Sequence, residues 1–340
     1  MALSSAPDVA LRRTAQEQAD IELLRALVAI PSLSHQESNA VEYLRGAMAS
    51  RGFEVLDDPA GNAVGRIGSG ERHIVLLGHI DTVPGHIPVR IENGVLWGRG
   101  AVDAKGPLAT FVAAASAAAG ELRATVTVVG AVGEEVIGSP GATAVATWPA
   151  PDFCVIGEPS GWDAVCLGYR GSLSLIYTLT RSTRHTAGPG ESVAEEAVAF
   201  WNALQAEIAG WNAGARGSFW AIGPSLRAFN TRGDGLQDVA TLSIGLRLPP
   251  ELDVDRLLAR IRELAGDAEI KVDGLQEGYR TTKRSTLVPP FLRAIRAQGG
   301  TPRFSLKLGT SDMNVVGPAW GCPIVAYGPG DSSLDHTPEE

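Results

Sequence analysis

Apolar positions recur every three and four residues over 21–28 and again over 40–48, a spacing that predicts two opening helices. Short apolar runs follow at 74–77, 126–129 and 153–156, separated by helical stretches such as the alanine-rich 107–119. Strands alternating with helices in this way predict a mainly parallel sheet of the α/β class. After Glu158 the texture changes. Segments 173–179, 241–248 and 269–275 read as strands, with helices over 193–204 and 254–264. This βαββαβ-like order predicts an α+β sandwich with helices on one face of an antiparallel sheet. A helix over 289–296 and strands at 304–308 and 324–327 then return to the first texture. The simplest organisation is one catalytic unit built from 1–167 and 283–340, interrupted by an inserted unit from 168 to 282.

Composition narrows the class without changing this picture. A chain of 340 residues, 44% hydrophobic and 20% charged, has ordinary globular content and can build real cores. The net charge of −9 disfavours nucleic acid as a partner. That charge is uneven: the 168–284 segment is neutral, so the whole excess sits on the rest of the chain. Cys154, Cys166 and Cys322 are too few and too scattered for a disulfide framework and read as reduced thiols. Residues 1–7 lack the basic start and apolar core of a signal peptide, and the apolar run 111–119 is far short of a bilayer span of ~20 residues. A cytoplasmic enzyme is expected.

Candidate chemistry falls where the predicted strands end. His79 closes the first apolar strand and is followed two residues on by Asp81. An imidazole that ligates a metal through one nitrogen needs an acceptor on the other, a role open to Asp81. Asp103 follows a hairpin-like stretch at 95–100, the pair Glu134-Glu135 follows the 126–129 strand, and Glu158 follows the 153–156 strand. His336 lies in a polar loop after the 324–327 strand. In an open α/β sheet the carboxyl ends of the strands are where ligands bind. Two histidines with such carboxylates suit a pair of zinc-type ions, one carboxylate bridging them. Adjacent glutamates on a strand end point different ways, so one can ligate while the other stays free as a base.

His79-x-Asp81, Gly98-Arg99-Gly100-x-x-Asp103-x-Lys105-Gly106, Glu134-Glu135, Gly157-Glu158-Pro159 and the late His336 resemble the dinuclear zinc amidohydrolases and peptidases of the M20 family, from about residue 15 onward. Within it, the stretches 157–163, Gly168-Tyr169-Arg170-Gly171 and Gly309-Thr310-Ser311-Asp312-Met313-Asn314 look most like the branch that cleaves amino-group carrier protein–lysine or –ornithine. The resemblance implies two zinc ions per subunit, with cobalt as a substitute. His79, Asp103, Glu135, Glu158 and His336 would be the ligands, Asp103 the bridge, Glu134 the base, and the Asp103–Ala104 peptide cis. It implies that the insertion acts as lid and homodimerisation unit. His185 would then reach the partner's active site to stabilise the oxyanion. It also implies that Arg247 binds the substrate's α-carboxylate and that Gly309, Thr310 and Ser311 contact the same end. A small acidic carrier protein is the implied partner, with neither nucleic acid nor membrane involved. Arg170, Arg181, Arg184, Arg280, Lys283 and Arg284 are expected to form a basic rim at the cleft mouth for that carrier. His35, His73 and His86 read as surface or packing residues.

Other readings fit less well. The 98–106 stretch has glycines like a phosphate loop but no Gly-Lys-Ser/Thr ending, and the chain has no Gly-x-Ser-x-Gly elbow. A deacylase or dipeptidase of small N-acyl amino acids, like acetylornithine deacetylase, shares the ligand set and is the nearest alternative. A non-catalytic binding protein on the same scaffold is the alternative of another class, opposed by the intact base and ligands. The chain stops four residues after His336, where relatives in that family continue into a further helix. A truncated end would leave His336 on a frayed segment and the second metal site weak or empty.

Overall fold

A computed structural model describes residues 14–185 and 187–340; residues 1–7, read above for a signal peptide, and Thr186, next to His185, lie outside them. Helices α1 (Ala15–Ala29) and α2 (Ser38–Ser50) open the chain, followed by strands β1 (Glu54–Leu56), β2 (Ala63–Ile67) and β3 (Arg72–His79). The hairpin β4 (Arg90–Glu92) and β5 (Val95–Trp97) leads to α3 (Lys105–Ala117), β6 (Ala124–Ala131), α4 (Pro140–Val145), β7 (Phe153–Gly157) and β8 (Ala164–Tyr169). The insertion runs β9 (Gly171–Ser182), α5 (Val193–Trp211), β10 (Gly223–Gly233), β11 (Gln237–Leu248), α6 (Val254–Ala265), β12 (Glu269–Gln276). The chain returns through β13 (Tyr279–Arg280), α7 (Val288–Ala297), β14 (Arg303–Lys307), α8 (Met313–Trp320) and β15 (Ile324–Ala326).

The large sheet is nine-stranded in the order β1-β2-β6-β3-β7-β15-β8-β13, with β14 also on β8. Its centre, β6-β3-β7-β15, is parallel. Side chains alternate across it: Ile74 and Leu76 pack with α1, α2, α3 and α7, while Val75 and Leu77 pack with α4 and α8. Both faces are therefore buried, as a parallel sheet requires. Lys105 fastens the first layer: its buried ammonium donates to Leu27 O at 3.1 Å and Ile30 O at 2.7 Å, carbonyls at the end of α1.

The insertion forms its own four-stranded antiparallel sheet, ordered β10-β11-β9-β12. Leu173, Leu175, Tyr177 and Leu179 of β9 turn toward α5 and α6, in a core separate from both layers of the large sheet. The opposite face carries Ser172, Ser174, Arg247 and Gln276 toward a cleft. The chain passes between the sheets at Arg170–Gly171 and again between Gln276 and Tyr279, inside the expected 168–282 segment, because β8 and β13 pair in the large sheet.

Periodicity missed two long or central strands for opposite reasons. β8 is buried along its whole length and shows no alternation. β10 is an edge strand exposed along most of its length, with no alternation of buried and exposed positions.

Leu175, fully buried in the insertion's core, gives a test of that core's independence. Leu175→Ala is expected to cost about 2–5 kcal/mol, read from a denaturation midpoint. Cation binding by the folded variant should be unchanged; a loss of cation binding at full folding would show that the two units do not pack separately.

Candidate metal centre

The loops leaving β3, β6 and β7 and the segment ending at residue 340 meet at one edge of the large sheet. His79 is the last residue of β3 and is 1% exposed. Its Nε2 faces Asp103 Oδ1 at 3.1 Å and Glu158 Oε1 at 3.9 Å. Its Nδ1 faces the backbone oxygen of Asp81 at 3.1 Å, with the carboxylate Oδ1 further off at 3.5 Å. The expected acceptor is thus the right residue, but its main chain is the nearer group. The Asp81 carboxylate is committed elsewhere, accepting from the backbone N–H of Glu134 at 3.0 Å and of Glu135 at 3.1 Å, and from the Ser34 hydroxyl at 2.7 Å.

On the other side of Asp103, His336 Nε2 lies 3.1 Å from Asp103 Oδ2 and 2.9 Å from Glu135 Oε1. The two oxygens of Asp103 therefore face different histidines, one group with Glu158 and the other with Glu135. The peptide after Asp103 is cis. Ligand atoms of His79, Asp103 and Glu135 all lie within 4.8 Å of one another.

The electrostatics are those of a site short of cations. Burial raises the Glu134 carboxyl well above its usual range; Glu158, Asp312 and Glu135 add to this and His79 opposes it. Glu158 is raised in the same way by burial and by Asp103. Burial pushes Asp312 up to about 7 and Asp335 up to about 8. Both carboxylate oxygens of Asp312 and Oδ1 of Asp335 lack a hydrogen-bond partner among the described residues. Burial also works against ionisation of Asp103, but hydrogen bonds from His336 and His79 outweigh it and hold its carboxyl below the usual range. The same contacts with Asp103 and Glu135 lift His336 to about 10. Carboxylates that repel one another in a low dielectric are relieved by a cation. The donor set, imidazole nitrogen and carboxylate oxygen, is one that zinc-type ions accept.

A cavity of about 420 Å³ opens onto this cluster, lined by Asp103, Glu134, Glu135, Glu158, Asp335 and His336 on one side. Arg227, Arg247, Ser172 and Ser174 of the insertion's sheet line the other, with Gly309, Thr310 and Lys307 beside them. Arg247, expected to bind an α-carboxylate, lines this cavity. Ser311 does not reach the cavity: it is fully buried, and its hydroxyl accepts from Met313 N at 3.2 Å at the start of α8. His185 is exposed on the loop after β9, its Nδ1 accepting from Ala187 N at 3.2 Å, and does not line this cavity.

The expected basic rim does not form. Arg170 is buried and donates to the carbonyls of Ala221 and Arg247. Arg181 is paired with Glu196 and Asp267, Arg184 with the carbonyls of Pro189 and Glu191, and Arg280 with Glu251. Arg280, Lys283 and Arg284 instead border a separate hollow with Trp220 and Phe304. The cations of the cleft are Arg227, Arg247 and Lys307, and the first and last were not expected from sequence. The 336–340 segment is not frayed either: Glu340 is 2% exposed, and its backbone oxygen accepts from Gly98 N at 3.1 Å. Among the described residues no helix is long and apolar enough to cross a membrane. His73, partly buried, bonds Thr127, whereas His35 and His86 are exposed.

Comparison with known proteins agrees with this geometry. The sequence profile of Peptidase family M20/M25/M40 matches residues 75–340. A LysW-lysine hydrolase of Deinococcus radiodurans is 46% identical over 335 residues, covering 96% of this chain and 92% of that protein. A LysW-lysine/LysW-ornithine hydrolase of Sulfurisphaera tokodaii is 29% identical over 320 residues, covering 94% of this chain and 89% of its own. Among solved structures, an M20 family metallo-carboxypeptidase from Sulfolobus solfataricus superposes with a TM-score of 0.77 at 19% identity, covering 94% of each chain, which establishes the fold.

Asp103 and Glu135 lift His336 to about 10, so a cation bound through its imidazole would have to displace a proton. Zinc binding is expected to release protons near pH 7 and to tighten as pH rises from 6 to 8. Calorimetry in two buffers of different ionisation enthalpy measures this directly; identical heats in both would contradict it.

Proposed function

Because the chain belongs to Peptidase family M20/M25/M40, we propose that it is a metal-dependent amide hydrolase that releases lysine, or ornithine, from a small acidic amino-group carrier protein in lysine or arginine biosynthesis. The carrying observation is the division of donor atoms about Asp103, with Glu134 partly buried beside them at a cavity that Arg247 also lines. The relatives' names supply the substrate class.

In this reading His79, Asp103, Glu135, Glu158 and His336 would hold a pair of zinc-type ions. Bound there, the ions would polarise the amide carbonyl and bring a water's pKa to roughly 7. Glu134, freed of its own proton by the added positive charge, takes a proton from the attacking water as oxygen bonds to the carbonyl carbon. The C–N bond then breaks, and Glu134 passes that proton to the departing α-amino group. Arg247 holds the α-carboxylate with a planar, bidentate guanidinium, and Gly309 and Thr310 shape the same end of the cavity. Of the carboxylates lining the cavity, Asp335 alone has no ligand or base role and is the one available for the side-chain ammonium.

The subunit works as a cytoplasmic homodimer. β10 supports this as an 11-residue edge strand with Leu226 and Phe229 exposed, a surface that a second copy can cover. His185 would then reach the partner's cavity and stabilise the oxyanion, which fits its absence from its own.

The reading is tested by assaying lysine release from carrier-linked lysine beside deacetylation of acetylornithine. Carrier-linked lysine is expected to be the better substrate, and Glu134→Gln to lower turnover at least ~100-fold with zinc content unchanged. Faster deacetylation would favour the small-substrate alternative, and near-normal activity of the variant would remove Glu134 from the base role. Mixing Glu134→Gln with His185→Ala dimers under verified subunit exchange should restore part of the activity. No recovery would place His185 outside the partner's chemistry.

A further inference from the structure

The side chain of Glu340 is wholly buried, yet it faces the main chain of the 98–103 loop rather than the cavity. Its Oε1 accepts from Gly100 N at 2.8 Å, Asp103 N at 3.0 Å and Val102 N at 3.4 Å, and its Oε2 pairs with the Arg99 guanidinium. Successive amides turned toward one anion make a nest, and bonds to a charged acceptor are about twice as strong as neutral ones. The loop can turn this way because Gly100 sits at φ +87°, where a Cβ would come within 2.8 Å of Thr82 Cγ2. Arg99 carries the connection further, donating through Nε to Gly85 O at 3.1 Å in the loop beyond His79. One carboxylate therefore ties together the loop after β3, the backbone of Asp103 and the segment that bears His336.

We infer that Glu340 is a positioning residue for the metal pair. It fixes the shared ligand Asp103 through its backbone N–H and holds His336 opposite by anchoring the same short segment. This rests on the reading of the cluster as a metal centre. Partners that orient ligands from behind typically contribute 10–100-fold to metal affinity. Replacing the carboxylate with an amide removes the charge that Arg99 and the loop amides share and turns an NH₂ group against donors.

The test is zinc competition with a fluorescent chelator, using metal-free full-length protein and its thermal midpoint as a second readout. Glu340→Gln is expected to weaken zinc binding about 10–100-fold, with the metal-free midpoint near that of wild type. Glu340→Asp, which keeps the charge on a shorter stem, should fall between them. Glu339→Gln, at the exposed neighbour, should match wild type. Wild-type zinc affinity in a folded Glu340→Gln protein would overturn the inference alone. Failure of both Glu340 variants to fold would overturn it too, since the residue would then be holding the fold rather than the centre. A wild-type protein that takes up no divalent ion would instead sink the metal reading on which the inference stands.

Discussion

Mutual repulsion among carboxylates is the constraint to which this structure answers. Asp103, Glu134, Glu135, Glu158, Asp312 and Asp335 converge at one sheet edge, and most of them are pushed above their ordinary range by burial and by one another. Buried charge is tolerated only when paired or hydrogen-bonded. The chain meets part of that demand itself. His79 and His336 stand between the carboxylates, Asp81 is held by amides and a hydroxyl, and Glu340 is held by amides and Arg99. It does not meet all of it: among the described residues the Asp312 carboxylate has no hydrogen-bond partner, and burial holds the Glu134 carboxyl well above its usual range. A cation site that is costly to leave bare will bind its ion with a matching gain, and that gain counts toward folding as well.

The insertion completes the site without sharing its core. One face of its sheet is spent on α5 and α6, and the other, lined by Ser172, Ser174 and Arg247, is left polar toward the metal centre. An antiparallel sheet permits this division because alternate residues face opposite sides. The arginines gain reach from the same geometry. Arg227 and Arg247 come from neighbouring strands, and burial together with their mutual repulsion lowers the charge preference of Arg247. An anionic substrate group between them relieves that repulsion, much as a cation relieves the carboxylates opposite. The cleft thus sets a wall of guanidinium groups against a floor of carboxylates.

The candidate ligands were legible because most of them close or follow an apolar strand, and strands of a buried parallel sheet announce themselves as short hydrophobic runs. His79, Asp103, Glu135, Glu158 and His336 are brought together as that pattern implies. What the pattern could not carry is pairing across the fold. Arg170, Arg181, Arg184 and Arg280 look alike in sequence, but each found a local or tertiary acceptor and left the cleft to Arg227 and Lys307. Ser311 lies in the right loop, yet the open amides at the start of α8 claim its hydroxyl. Glu340 sits four positions after His336 with nothing in its neighbours to mark it, since its partners lie more than 230 residues earlier. Periodicity reports which face is buried; it is silent on which polar groups meet.

Asp81 shows why the centre can be both crowded and ordered. Its main-chain oxygen sets the tautomer and tilt of His79, while its carboxylate holds the backbone of Glu134 and Glu135. The imidazole on one strand end and the two adjacent glutamates after the next are thereby referred to a single residue. Reacting groups need placement to within about 0.5 Å for full effect, and side chains acquire it from what stands behind them. The Asp81 carboxylate thereby bonds the loop after β3 to the loop after β6, so the parallel pairing of those strands is itself part of the site. Glu340 provides the same service on the far side of Asp103. Between these two buried anions, each satisfied by backbone amides, the repelling carboxylates are left no direction in which to relax.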